Sequence, residues 1–201
     1  YDFHNLYKEL LNFCTVDLSA FYFDIRKDSL YCDSKDSKKR QSTIILLNVI
    51  LNSLLRWFAP ILSFTTEEIH RLIMNDNKSI HLTKFLEFPI SFKNENLNQK
   101  WLELIKIRNI CNISIEEKRA SKEIGSSLEA SLKINLDKKL TDISQNIDFS
   151  ELCITSSAEV SYLENSETKV QTTKAEGSKC QVCWKITKDA CSRKTCPQHT
   201  E

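Results

Sequence analysis

Glycine scarcity is the feature of this sequence that most restricts what the chain can build. Only Gly125 and Gly177 occur among 201 residues. Loops that cradle phosphates need several glycines, because backbone N–H groups must approach the anion closely. The sequence therefore excludes a Rossmann fingerprint, a Walker loop and a kinase loop, and with them a nucleotide-binding catalytic core in this chain.

Composition and hydropathy are those of a globular protein without a membrane span. Apolar residues make up 41% and charged residues 27% of the chain, which suits a folded core in one or two domains. The longest apolar run covers residues 44–47, far below the roughly 18 residues of a spanning helix. Asp2 and His4 interrupt any N-terminal signal. We therefore expect a cytoplasmic protein with no membrane partner, and a start at Tyr1 instead of Met predicts a fragment of a longer chain.

Helical spacing of apolar residues dominates the first 121 positions. It predicts helices over residues 1–25, 38–58, about 65–73 and about 98–121. Pro60 ends the second helix, because proline lacks an N–H and restricts the residue before it. Thr65 and Glu68 have the spacing of a capping box, and Phe64 and Ile69 that of a hydrophobic staple.

The hydrophobic period changes after Gly125. Apolar and polar residues alternate from Leu128 to Leu136, which predicts a strand. A short helix near 137–145 and two short strands near 151–155 and 158–163 complete a predicted α/β unit. Residues 164–178 are polar and predict a flexible linker.

The cysteines divide into two groups. Cys14, Cys32, Cys111 and Cys153 are scattered through apolar surroundings, whereas Cys180, Cys183, Cys191 and Cys196 fall within the last 22 residues. A clustered set without a secretory signal indicates metal ligation in a reducing compartment and not a disulfide framework.

Structural zinc is the predicted metal. Cys180 and Cys183 form one ligand pair, and the second pair is either Cys191 with Cys196 or Cys196 with His199. Both sets close the tetrahedron and leave no position for a catalytic water. A segment this short lacks a core, so zinc would supply its folding free energy, about 10 kcal/mol or more.

The chain is thus predicted to be mainly α, with a small α/β unit and a zinc-binding module at its end. The predicted divisions are a helix bundle over 1–122, the α/β subdomain over 123–163, a linker over 164–178 and the zinc module over 179–201. The net charge is only +1, but residues 169–201 carry seven basic and three acidic side chains. The cationic end of the chain is therefore its tail.

Four stretches, in the same order along the chain, resemble the C-terminal part of bacterial isoleucyl-tRNA synthetases. Residues 15–31 (TVDLSAFYFDIRKDSLY) and 56–69 (RWFAPILSFTTEEI) resemble the anticodon-binding bundle shared by the isoleucine, valine and leucine enzymes. Residues 122–130 (KEIGSSLEA) and 175–184 (AEGSKCQVCW) resemble segments of the isoleucine enzyme, the second being its zinc module.

The resemblance implies a class I enzyme that attaches isoleucine to its tRNA with ATP. The catalytic and editing domains would lie upstream, so ATP would be used only by the full-length enzyme and this fragment would hold no catalytic residue. The fragment would bind the anticodon stem-loop of the isoleucine-accepting tRNA, and we expect a monomer.

Cations and an aromatic side chain are the candidate RNA contacts, because RNA loops are bound by stacking on splayed bases and by cations along phosphates. The candidates are Arg26, Lys27, Lys118, Arg119, Lys122, Lys179, Trp184 and Lys185. Each has a simpler interpretation: the cations at helix ends also suit the helix dipole, the cations around Trp184 could form a solvated basic face, and Trp184 could pack locally. The alternative function is a helical scaffold whose zinc tail binds a protein partner.

Overall fold

The computed structural model describes residues 2–74, 78–165 and 167–188. The chain divides into two compact units, Tyr1–Phe92 and Lys93–Glu201. Helices dominate, and the sheet is small, so the expectation of a mainly α chain with a small sheet is confirmed. Among the described residues, no helix combines the length and the apolar content needed to cross a membrane.

The first unit is entirely helical in its described part. Its helices are α1 (Phe3–Asn12), a π-helical segment (Phe13–Phe23), α2 (Asp24–Tyr31), α3 (Lys38–Phe58) and α4 (Ser63–Met74), with 3-10 turns at Ile80–Leu82 and Ile90–Phe92. Helix α3 packs against both α2 and α4. Leu55, Ala59 and Ile80 form a buried cluster, against which Leu51 and Ile69 pack.

The ends of α3 are those predicted. The Ser37 hydroxyl accepts a hydrogen bond from the Arg40 N–H at 3.4 Å, which caps the start. The helix ends at Phe58, two residues before Pro60. The capping box predicted for α4 is wrong, because α4 begins at Ser63 and Thr65 lies inside it. The predicted staple is also wrong, because Phe64 is 93% exposed and so does not pack against Ile69.

Glu67, the residue before the Glu68 of the predicted capping box, accepts the hydrogen bonds that hold the turn at Ser79 and Ile80. Its oxygens accept from the Ser79 hydroxyl at 2.8 Å, the Ile80 N–H at 2.9 Å and the Arg71 guanidinium at 2.8 Å. These bonds, led by the one from Ser79, lower the pKa of Glu67. Glu67 thereby holds the turn that carries Ile80 into the core.

The second unit places one long helix on a mixed sheet. Its elements are α5 (Glu95–Ala120), β1 (Ala130–Asp137), α6 (Thr141–Ser144), α7 (Phe149–Leu152), β2 (Ser157–Leu163), β3 (Lys169–Lys174), β4 (Ser178–Lys179) and β5 (Ile186–Thr187), with 3-10 turns at Ser127–Glu129 and Lys138–Leu140. Strand β1 is central, parallel to β2 and antiparallel to β3. Strands β4 and β5 form a separate antiparallel pair.

The alternation predicted for β1 is confirmed. Ala130, Leu132, Ile134 and Leu136 are fully buried, while the intervening side chains point to the open face of the sheet. Helix α5 packs on β1 and β3, and the Arg108 side chain donates to the Leu152 carbonyl at 2.9 Å.

Three features of the second unit differ from the sequence prediction. The strand predicted near 151–155 is wrong, because Asp148 caps the short helix α7 there. The predicted linker contains β3, which the sequence obscures because this edge strand buries little apolar surface: Thr172 is its one fully buried residue and hydrogen-bonds to Ser114 on α5 at 2.7 Å. The division between units falls after Phe92 and not after residue 122, because α5 packs on the sheet.

Candidate nucleic-acid interface

The cysteine knuckle, defined here as residues 178–187, brings Cys180 and Cys183 together in a tight hairpin. Ser178 pairs with Thr187 and Lys179 with Ile186. Inside the hairpin, the Cys180 N–H donates to the Lys185 carbonyl at 2.8 Å, and the Val182 N–H donates to Cys180 Sγ at 3.4 Å. Both cysteine side chains are buried.

Gly177 opens the knuckle at a position that admits no side chain. Its φ is +130°, and a Cβ there would lie 2.1 Å from the Thr187 carbonyl oxygen. Other residues avoid this φ and cannot accept that contact. The close approach of the two strands therefore depends on this glycine.

The knuckle supplies half of the predicted metal site. The donor set fits zinc, since two thiols share one turn and the Cys180 sulfur already accepts an N–H, as a thiolate ligand does. The other candidates, Cys191, Cys196 and His199, lie outside the described residues. Within residues 2–74, 78–165 and 167–188, no three metal-ligating side chains come together.

Trp184 stands at the tip of the knuckle in a form suited to contact. It is 59% exposed, and its φ of +63° lies in the left-handed region that non-glycine residues rarely adopt. The Lys179 ammonium lies 5.1 Å from the centre of its ring, within the range of a cation–π interaction. The structure thus brings two predicted contact residues together.

Lys185 is the third predicted contact residue of the knuckle. Its charge acts on Asp148, the residue that caps α7. Burial opposes ionisation of Asp148, but hydrogen bonds from Ser150 and from the Glu151 N–H, together with the Lys185 charge, bring its pKa below the ordinary value. Lys185 therefore acts electrostatically on a carboxylate of its own unit.

The cations at the end of α5 are mostly neutralised by their neighbours. Lys118 pairs with Glu123 at 2.9 Å, and Arg119 pairs with Glu116 at 2.6 Å. The bond from Lys118, followed by one from Ser121, lowers the pKa of Glu123. Lys122 differs, since its exposed ammonium makes no ion pair with a described residue.

Lys122 also occupies the left-handed position that ends the helix, with φ +60°. The Lys122 N–H donates to the Arg119 carbonyl at 3.0 Å and the Glu123 N–H to the Lys118 carbonyl at 3.1 Å. This pair of bonds is the Schellman motif, whose left-handed residue is usually glycine.

The two predicted cations of the first unit lie on α2. Lys27 pairs with Asp24 at 2.7 Å, and that hydrogen bond raises the pKa of Lys27. The half-buried Arg26 guanidinium lies 6.0 Å from the centre of the Tyr22 ring. Both side chains are therefore engaged by neighbouring residues, whereas the helix-dipole interpretation does not apply, because α2 continues to Tyr31 and has no basic residue in its last turn.

Ser156 is a residue that the sequence did not single out. Its hydroxyl accepts a hydrogen bond from the Ile186 N–H at 2.6 Å, which ties the knuckle to the start of β2. No motif links positions 30 residues apart, so only the fold reveals this contact.

Comparison with known proteins gives a consistent result. A family model described as the anticodon-binding domain of tRNA ligase matches residues 1–134. The chain is 69% identical over 193 residues to the isoleucine–tRNA ligase of Pelagibacter ubique, covering 96% of this chain and 21% of the relative. Identity is 39% over 200 residues to that of Agrobacterium fabrum, covering 94% and 21%, and 37% over 183 residues to that of Gluconobacter oxydans, covering 90% and 19%. The chain spans about a fifth of the length of these relatives.

Proposed function

The chain belongs to the anticodon-binding domain family of tRNA ligases, and on that premise we propose that it binds the anticodon stem-loop of an isoleucine-accepting tRNA as part of an isoleucine–tRNA ligase. The observation that carries the specificity for isoleucine is the 69% identity over nearly the whole chain to one such ligase. The ATP-dependent attachment of isoleucine would then take place in other parts of the longer protein, alongside its editing domain. The chain has only two glycines, too few for a phosphate-binding loop, which agrees with an ATP site in another part of the longer protein.

The knuckle is the proposed contact with the loop bases. Trp184 would stack on a splayed base, because its ring is exposed and every base offers a π-face. Lys179 and Lys185 would face the adjoining phosphates. The cation–π contact between Lys179 and Trp184 keeps a positive charge beside the ring before RNA arrives.

The predicted cations outside the knuckle would contribute unequally. Lys122 would contact a phosphate directly, since it has no ion pair to break among the described residues. Lys118, Arg119 and Lys27 would each have to exchange a carboxylate partner for a phosphate, which reduces the net gain. Arg26, already over Tyr22, would act through its remaining polar atoms.

We also propose that zinc completes the knuckle. Cys180 and Cys183 would bind it with Cys196 and either Cys191 or His199, the other of these two being a bystander. When bound, the metal would cross-link the end of the chain and would take no part in making or breaking covalent bonds. Elemental analysis should find one zinc per chain, and comparing Cys191→Ser with His199→Ala identifies the fourth ligand, because only the true ligand's loss lowers zinc content.

A titration with a synthetic anticodon stem-loop tests the proposed function. We expect binding that weakens steeply with salt, with a slope of log Kd near 0.9 per phosphate neutralised, and that is competed by the isoleucine tRNA. A hairpin of equal length with a scrambled loop is the control. Salt-independent binding, or equal affinity for the scrambled loop, would refute anticodon recognition and favour the scaffold that binds a protein partner.

A further inference from the structure

Ser156 lies where the backbone of the second unit is under conformational strain. Two residues earlier, Ile154 has φ +56°, a left-handed conformation that is unfavourable for a β-branched side chain. The turn is closed by bonds from the Ile154 N–H to the Glu151 carbonyl at 3.2 Å and from the Thr155 N–H to the Ser150 carbonyl at 2.8 Å. The fully buried Thr155 follows. The surroundings therefore fix the position of Ser156 tightly.

The Ser156 hydroxyl joins two distant segments. It donates to the Leu128 carbonyl, ahead of β1, and accepts from the Ile186 N–H of β5 at 2.6 Å. The Ser156 N–H donates to the Ala130 carbonyl at 3.0 Å, which anchors the serine itself to the central strand. A half-buried hydroxyl thus uses both its donor and its acceptor capacity.

The knuckle residue beside Ile186 is Lys185, whose backbone is also hydrogen-bonded. The Lys185 carbonyl in turn accepts the Cys180 N–H at 2.8 Å. Ser156 therefore holds Ile186, and the bond between Cys180 and Lys185 links Ile186 to the part of the knuckle that carries Trp184.

We infer that Ser156 is a positioning residue of the knuckle: by holding Ile186 against β2, it fixes Trp184 and Lys179 relative to the sheet. Its consequence for RNA rests on the proposed function. Ser156 touches no base or phosphate itself. Without the Ser156 hydroxyl, the Ile186 N–H loses its hydrogen-bond acceptor. The exposed ring of Trp184 is then held less firmly when a base stacks on it.

The test compares Ser156→Ala with Ser156→Thr, which restores the hydroxyl, in the intact protein that contains this chain. Ser161→Ala is the matched control, because Ser161 lies on β2, which Ser156 immediately precedes, and bonds to Asn135 instead of to the knuckle. Hydrogen exchange of the Ile186 amide measures, without RNA, whether the bond to Ser156 is present. Titration with the anticodon stem-loop measures the effect of that bond on RNA affinity.

We expect Ser156→Ala to speed exchange at Ile186, leave the β1 amides protected, and weaken RNA binding by about threefold to tenfold, the effect of one lost hydrogen bond. Ser156→Thr should restore both. Unchanged exchange at Ile186, or RNA binding no weaker than that of Ser161→Ala while Trp184→Ala binds poorly, would overturn the inference.

Two further outcomes distinguish a failure of the proposed RNA contact from a failure of the positioning role of Ser156. If Trp184→Ala and Ser156→Ala both bind RNA normally, the proposed RNA contact of the knuckle fails, while the exchange data still judge the positioning. If Ser156→Ala exposes the β1 amides as well, Ser156→Cys takes its place, since it keeps the volume but offers only a weak acceptor. Wild-type protection of Ile186 in that variant would overturn the inference.

Discussion

Replacing Lys122 with glycine should raise the stability of the second unit while it lowers the affinity for RNA. Lys122 holds φ +60° at the end of α5, where an L-residue is unfavourable by about 1–2 kcal/mol relative to the right-handed region. Glycine adopts this conformation readily but loses more backbone entropy on folding. Because the side chain is exposed and makes no ion pair with a described residue, we expect Lys122→Gly to stabilise the second unit by about 1 kcal/mol relative to Lys122→Ala.

Comparing Lys122→Gly with Lys122→Ala isolates the backbone effect, since both variants remove the ammonium and only glycine relieves the strain. Thermal unfolding should show the second unit of the glycine variant melting about 4 °C above that of the alanine variant. Both should bind the anticodon stem-loop with a salt slope lowered by about 0.9, the contribution of one phosphate contact. Equal melting temperatures would refute the strain argument, and an unchanged slope would remove Lys122 from the interface.

Further predictions concern one residue each. Leu132→Ala, at a fully buried position of β1, should destabilise the second unit by about 2–5 kcal/mol in denaturant titrations. Trp184→Ala should weaken stem-loop binding by about 1–3 kcal/mol, and Trp184→Phe by less, as measured by fluorescence anisotropy of labelled RNA. Because the pKa of Glu67 is lowered in the folded state, its stabilisation is complete above the ordinary glutamate pKa of 4.5 and is lost as the pH falls through the folded value. Melting curves of Glu67→Gln should therefore show less loss of stability on acidification than wild type, from a lower starting stability at neutral pH.

Local signals in the sequence predicted the elements that depend on local physics. The apolar period and Pro60 gave the bounds of α3, and the strict alternation from Leu128 to Leu136 indicated β1. Strand β3 escaped prediction because it has a single apolar residue, Val170, and its one fully buried position, Thr172, is polar. Helix α7 was mistaken for a strand because four residues are too few to establish a period.

The candidate site was predictable where spacing alone brings residues together. The two-residue interval between Cys180 and Cys183, with Trp184 following, places all three in one hairpin. The ion pairs of Lys118 and Arg119 are equally local, since their partners Glu123 and Glu116 lie within five positions. A count of cations alone does not include these neighbouring carboxylates. The anchoring of the knuckle by Ser156 depends on tertiary structure and left no trace in the sequence.

Gly177 has a consequence for how this chain can drift over generations. A Cβ at that position would collide with the Thr187 backbone, which cannot swing aside as a flexible side chain could. Saturation mutagenesis of that codon should thus leave glycine as the sole fully tolerated state. At Gly125 an added Cβ would lie 3.4 Å from a movable Glu129 oxygen, so several small substitutes should survive the same selection.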